Sequence, residues 1–223
     1  MEEYQIDKLT GLPGKSSFEH VLFDVFDASE DGPVTLAIID VDFFKLINDE
    51  LGHDVGDAVL MMTAKILSGM PGAKAVRYGG DEFVVMFPRL EREQAFLRLE
   101  KAREAVDAVS EVEVAGKKVP LGVTMSAGVA AYPIDGVNES ELMRKADGAL
   151  YRAKLGGRNK VSLAFEERLV PKTTHFTVTQ LERLSELAKD RGVVEAALLR
   201  EALDDLLVKY LHGFRSERQQ PKA

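Results

Sequence analysis

Apolar side chains recur along the first 165 residues with helical spacing in some stretches and unbroken or alternating in others. Phe18, Val21, Leu22 and Val25 lie three or four apart within 15–26, the spacing that turns one helical face toward a core. Residues 34–39 are almost wholly apolar over the length of a strand buried on both faces. A short helical segment opens at Phe43, and a longer helix is expected over 58–67. Strand-like runs at 73–78 and 83–87 flank Gly79-Gly80-Asp81-Glu82, which reads as the tip of a hairpin. A helix follows over 91–109, with Ala95, Leu97, Leu99, Ala102, Val106 and Val109 as its apolar positions. Residues 112–114 and 119–132 are β-rich, with Gly116 and Lys117 turning between them, and 139–155 is the next helix.

The polar residues between these elements carry the candidate chemistry. Two glycines followed by two acids let a ligand approach the backbone and suit a divalent cation beside a phosphate, although the same residues also make ordinary turns. The buried run at 34–39 ends in Asp40-Val41-Asp42. A carboxylate there can cap the next helix or hold a metal, and both readings stand. Free amides at Phe43 and Phe44, where a helix starts, would face an anion. Residues 48–57 read as a polar turn, bracketed by Asn48 and Asp57, which together offer the donor and acceptor edges a guanine base needs. Lys154 and Arg158, astride a glycine break, either complement a helix C-terminus or grip a polyphosphate.

Size and charge narrow the class. The 223 residues, 45% of them hydrophobic, suffice for one or two packed domains. The absence of cysteine removes disulfides, thiolate metal sites and cysteine nucleophiles. Met1-Glu2-Glu3-Tyr4-Gln5 has neither a basic leader nor an apolar run, and no segment has the length and apolarity of a membrane span, so a cytoplasmic protein with no membrane partner is expected. Net charge is −8; residues 171–223 hold 9 basic and 8 acidic side chains, leaving 20 and 29 in the remainder. An acidic body argues against broad nucleic-acid binding, while the nearly neutral tail can still present a local basic patch.

Taken together, Asp40-Val41-Asp42-Phe43-Phe44-Lys45, Asn48-Asp49, Gly52-His53-Asp54-Val55-Gly56-Asp57, Arg77-Tyr78-Gly79-Gly80-Asp81-Glu82-Phe83 and Ala153-Lys154 through Gly156-Gly157-Arg158-Asn159 resemble the GGDEF family of diguanylate cyclases. The opening Asp7-Lys8-Leu9-Thr10-Gly11-Leu12-Pro13 is similar to that family's usual start. The resemblance implies an α+β fold, a ferredoxin-like, palm-type domain with a central antiparallel sheet flanked by helices. It also implies condensation of two GTP molecules into cyclic di-GMP and pyrophosphate by a homodimer, each chain binding one GTP. By position, Asp40, the Val41 carbonyl and Glu82 would hold Mg²⁺ or Mn²⁺. Asp81 would aid the metal site or the deprotonation of the attacking 3′-hydroxyl. Gly79 and Gly80 would let the nucleotide lie on the backbone, Asn48 and Asp57 would read guanine, and Lys154, Arg158 and the Phe43 and Phe44 amides would hold the terminal phosphates. An Arg-x-x-Asp inhibition site common in the family is replaced by Met70-Pro71-Gly72-Ala73, so no feedback through that site is expected. The family's Asn-Arg after the opening motif is Gly14-Lys15 here.

The expected domains are the cyclase over 1–165, a linker at 166–171, a small module at 172–214 and a disordered tail at 215–223. The module reads as a short β-prone run, a helix capped by Thr177 or Thr179 with Leu181, Leu184, Leu187 and Ala188 on one face, Gly192, and a second helix over 194–211. It resembles the ribbon-helix-helix family, which implies a dimerisation module whose paired strands turn Thr173 and His175 toward DNA if Phe176 faces inward, with Lys172 among the sparse phosphate contacts. Two readings of the tail stand: a dimer clamp, and a clamp that also binds DNA. The alternative for the whole chain is a DNA-binding transcriptional regulator whose first domain senses GTP or cyclic di-GMP.

Overall fold

The structure is a computed structural model that describes residues 4–164, 173–191 and scattered positions from 193 to 206. The chain divides into two units, Met1–Glu167 and Arg168–Ala223.

In the first unit a five-stranded sheet runs in the order β2-β3-β1-β6-β7. Its strands are β1 (Val34–Val41), β2 (Lys74–Arg77), β3 (Glu82–Pro88), β6 (Met125–Tyr132) and β7 (Val161–Leu163). All neighbours are antiparallel except β6 and β7, so the sheet is mixed rather than purely antiparallel. β7 is parallel because α5 (Glu139–Leu155) crosses over between the two strands. A separate ribbon pairs β4 (Glu111–Val114) with β5 (Lys117–Pro120).

Period two sorts the sheet's side chains into two cores. Ala37, Ile39, Val41, Phe83, Val85 and Phe87 face α3 (His53–Ser68) and α4 (Arg92–Asp107). Val34, Leu36, Ile38, Val84 and Met86 face α1 (Phe18–Asp27) and α5. Helices on both faces explain why every residue of β1 is buried. On β6, Gly128 lets α5 lie directly on the sheet: a Cβ there would overlap the Ala146 carbonyl and the Leu150 amide.

Several expectations shift. The helix expected at 15–26 begins as a single 3₁₀ turn, Lys15–Ser17, before α1. The helix expected from 58 starts at His53, and 48–57 is not a turn: Asn48 lies in α2 (Phe44–Leu51) and Asp57 in α3. Only Gly52, at φ +88°, separates these helices. The ribbon turn is Ala115-Gly116, both at positive φ, so Lys117 begins a strand rather than the turn. The run at 119–132 is divided between the ribbon and the main sheet. The helix expected at 91–109 is shorter at both ends, and 139–155 is helical as expected.

In the second unit α6 (Val178–Arg191) is capped by Thr177, not Thr179. The Gln180 amide donates to Thr177 Oγ1 at 3.3 Å while Gln180 Oε1 accepts from the Thr177 amide at 2.9 Å, a reciprocal cap. Residues 173–177 form no strand in the single chain. Thr173, His175 and Phe176 are all exposed, so Phe176 is not turned into a core within one chain. Lys172, Gly192, the linker, the tail at 215–223 and much of the expected second helix lie outside the described residues. Among the described residues no helix is long and apolar enough to cross a membrane.

Candidate functional site

Strand register brings the signature acids together. Asp40, at the end of β1, is the cross-strand partner of Glu82, the first residue of β3. Their side chains share the α1 and α5 face, because each continues the even-numbered series of its strand. The hairpin tip is tied at several points. The amides of Tyr78 and Gly79 donate to the Glu82 carbonyl at 2.9 and 3.0 Å, and the Val41 amide donates to the Asp81 carbonyl at 3.2 Å.

A clasp from the chain's opening holds the same hairpin. Arg77 reaches both Asp7 oxygens at 3.0 and 3.2 Å and donates to the Gly80 carbonyl at 3.3 and 2.8 Å. Asp7 also accepts from the Thr10 amide and hydroxyl at 2.9 and 2.6 Å. Burial pushes the Asp7 carboxyl upward, but the Thr10 bonds and Arg77 outweigh it and hold the group below the usual carboxylate range.

Asp40 is nearly buried, and Lys154 from the last turn of α5 meets its Oδ2 at 2.7 Å. Burial raises the Asp40 pKa; Lys154 opposes this, and the nearby Asp81 and Asp42 add to it. Lys154 is therefore committed to a carboxylate here rather than standing free for a phosphate. A buried acid with more negative than positive neighbours favours a cation. Two carboxylates and a carbonyl are hard oxygen donors, and they suffice for Mg²⁺, which takes one or two carboxylates and keeps waters or substrate phosphates for its remaining positions. The residues fit that ion, although among the described residues no three acidic or histidine side chains converge.

Phe43 stands at φ +58° just before α2 and is exposed, with the Arg158 guanidinium 4.6 Å from its ring centre. This brings Arg158 and the Phe43–Phe44 amides to one place. In α2, Asn48 Oδ1 is buried without a hydrogen-bond partner. It lies against Gly56, where any side chain would overlap it. Asp57, one residue on, is exposed on α3. Gly79 is half-buried against the Glu82 side chain, and Gly80 is exposed.

Asp42 takes neither role open to it in the sequence. It makes no cap for α2, and it is held by distant donors: Thr124 and Ser126 hydroxyls at 2.7 and 2.8 Å and the Asn159 amide at 3.0 Å. Asn159 and the Asp7–Arg77 clasp likewise escape sequence reasoning, since their partners lie 52 to 117 residues away. At the position of the missing inhibition motif Met70 is buried, Gly72 turns at φ +73°, and Arg98 donates to the Pro71 carbonyl.

Comparison with known proteins gives a consistent result. The family profile described as "Diguanylate cyclase, GGDEF domain" matches residues 4–160. The chain is 37% identical over 171 residues to diguanylate cyclase A of Treponema denticola, covering 74% of this chain and 45% of that one. It is 39% identical over 159 residues to the response regulator PleD of Caulobacter vibrioides, covering 70% and 35% respectively. The chain thus spans less than half the length of these curated relatives. Among solved structures, the GGDEF domain of DgcB from Caulobacter crescentus, crystallised with c-di-GMP, superposes with a TM-score of 0.65 at 32% identity, covering 74% of this chain and 98% of that one.

Proposed function

Because the chain belongs to the GGDEF family of diguanylate cyclases, we propose that it condenses two GTP molecules into cyclic di-GMP. The observation that carries this is the cross-strand pair Asp40 and Glu82 beside the glycine hairpin. In each half-reaction the 3′-oxygen of one GTP bonds to the α-phosphorus of the other. The bond from that phosphorus to the pyrophosphate oxygen breaks, and the hydroxyl proton passes to a base. Two such steps give one cyclic product and two pyrophosphates.

Asp40, the Val41 carbonyl and Glu82 would hold Mg²⁺ or Mn²⁺, which when bound neutralises phosphate charge and lowers the pKa of the attacking hydroxyl. Asp81 stands beside this pair to help hold the cation or take the proton. Asn48 and Asp57 bind guanine, with Asp57 accepting from its N–H edge. Arg158, Lys154 and the Phe43 and Phe44 amides would grip the β- and γ-phosphates, Lys154 turning from its 2.7 Å contact with Asp40 to do so. Gly79 and Gly80 leave room for the nucleotide against the strand. The chain's contribution is positioning and charge, with no covalent intermediate.

One site holds one nucleotide, so two chains must face each other. We assign that pairing to the second unit, as a ribbon-helix-helix clamp. Its support is the apolar stripe of α6, where Leu181 and Leu187 remain 45% and 43% exposed in the single chain. Pairing of this kind leaves Thr173 and His175 available to DNA, a role that a salt-dependent titration against genomic fragments would test.

Incubating the full chain with GTP and Mg²⁺ should yield cyclic di-GMP, and Glu82→Gln should fold normally yet yield none. A dimeric, folded wild type that makes no cyclic di-GMP overturns the proposal.

A further inference from the structure

The loop 156–159 is held from two sides. On the sheet side Asp42, only 2% exposed, divides its oxygens: Oδ1 accepts from Ser126, while Oδ2 accepts from Thr124 and from the Asn159 backbone amide at 3.0 Å. On the α4 side Asn159 Oδ1 accepts from Arg103 at 2.8 Å and its Nδ2 donates to Asp107 at 3.1 Å. Between these ties Arg158 and Asn159 stand at φ +62° and +48°. Two successive left-handed residues, neither of them glycine, persist only where their surroundings hold them. That backbone carries the Arg158 guanidinium to the Phe43 ring, where α2 begins.

We propose that Asp42, acting through Asn159, is a positioning residue for the nucleotide's phosphates: it locks the loop in the conformation that presents Arg158 to them. This rests on the reading of Arg158 as a phosphate grip. A purely structural Asp42 would join β1 to β6, the task its Ser126 bond already performs. Oδ1 accepts from Ser126 alone, whereas Oδ2 is shared between Thr124 and the loop, so loss of the Ser126 bond isolates the structural role.

The test is equilibrium binding of a nonhydrolysable GTP analogue and of GMP to the full-length chain with Mg²⁺, beside steady-state turnover. Asp42→Ala and Asn159→Gly should each weaken the analogue roughly tenfold, about the worth of one charge-assisted hydrogen bond, and leave GMP unchanged. Ser126→Ala, which touches only the sheet-side oxygen, should change neither. Asp42→Asn can keep an oxygen toward the loop by turning its amide to Ser126, and should lie nearer wild type than Asp42→Ala. In an Arg158→Met background Asp42→Ala should add less than about twofold, because the group it positions is gone. Full additivity in that background, or equal losses for GMP and the analogue, overturns the inference. If Arg158→Met itself leaves analogue affinity unchanged, the phosphate role of Arg158 fails and takes the inference with it. Loss with Arg158→Met but not with the other two overturns the inference alone. Should Asp42→Ala not fold, Asp42→Asn, whose weaker acceptor should still cost the analogue something and spare GMP, carries the same comparison.

Discussion

Replacing Arg77 by methionine keeps the side-chain stem and the backbone bond to Pro13 but removes every side-chain bond of the clasp between the chain's opening and the signature hairpin. The ion pair with Asp7 is largely shielded, with side chains 17% and 25% exposed, and the same guanidinium also satisfies the Gly80 carbonyl. Truncation leaves Asp7 partly buried without its cation, though Thr10 still serves it, so we set the loss at about 2 kcal/mol, between surface and fully buried pairs. For a unit of this size that lowers the melting temperature by about 4–8 °C. The loss is local, so hydrogen exchange should resolve it: the Tyr78 and Gly79 amides should exchange roughly 30-fold faster, while β1 and β6 amides move far less. The pH dependence has a definite sign. Asp7 has a lowered pKa in the folded chain, so its contribution is present above the unfolded carboxylate value near about pH 4 and is lost as pH falls through its own lower value. The gap between wild type and Asp7→Asn should therefore close in acid. Unchanged hairpin exchange in Arg77→Met, or a gap that widens in acid, would refute the clasp.

Gly128→Ala should cost several kcal/mol or prevent folding, since the new methyl meets helix backbone that has nowhere to go; calorimetry of the full chain reads this. Gly56→Ala meets the end of the Asn48 side chain, which can rotate, and the edge of the Phe44 ring at 3.3 Å, so its melting point should stay within about 1–3 °C of wild type while guanine-nucleotide affinity falls roughly tenfold, seen by titration. Mg²⁺ at about a hundred times its dissociation constant should stabilise the wild type by about 2.7 kcal/mol in a thermal shift assay, and Asp40→Asn should abolish that gain. Because burial raises the Asp40 pKa, its contribution to the metal-free chain is greatest in acid and is lost as pH rises through that value, so Asp40→Asn should gain on metal-free wild type with rising pH.

The parts of the fold legible in the sequence are those whose pattern is local. β1 announces itself as an unbroken apolar run, α5 by its spacing, and the hairpin by glycines between two strand-like stretches. The start of α3 was hidden because His53, Asp54 and Asp57 face solvent, and an exposed helical turn has the composition of a loop. The end of β5 and β6 merged into one run because residues 119–123, which join them, carry no charge, while only the tertiary structure assigns them to different sheets. The candidate site divides the same way. Asp40, Glu82 and Asn48 belong to compact motifs, whereas Asp42 depends on Thr124, Ser126 and Asn159, far along the chain and at no common period. Nor does sequence disclose that Lys154 sits on Asp40 before any nucleotide arrives.

The pairing of Asp40 with Glu82 also guards against misfolding. Sliding β3 by a single residue along β1 would turn Glu82 toward the apolar layer that holds Ile39, Val41 and Leu99, where burying a carboxylate is costly. A misregistered sheet is thus penalised by the same acid that we propose for the cation site. Chains that reach the native ladder have, by that fact, already set Asp40 opposite Glu82.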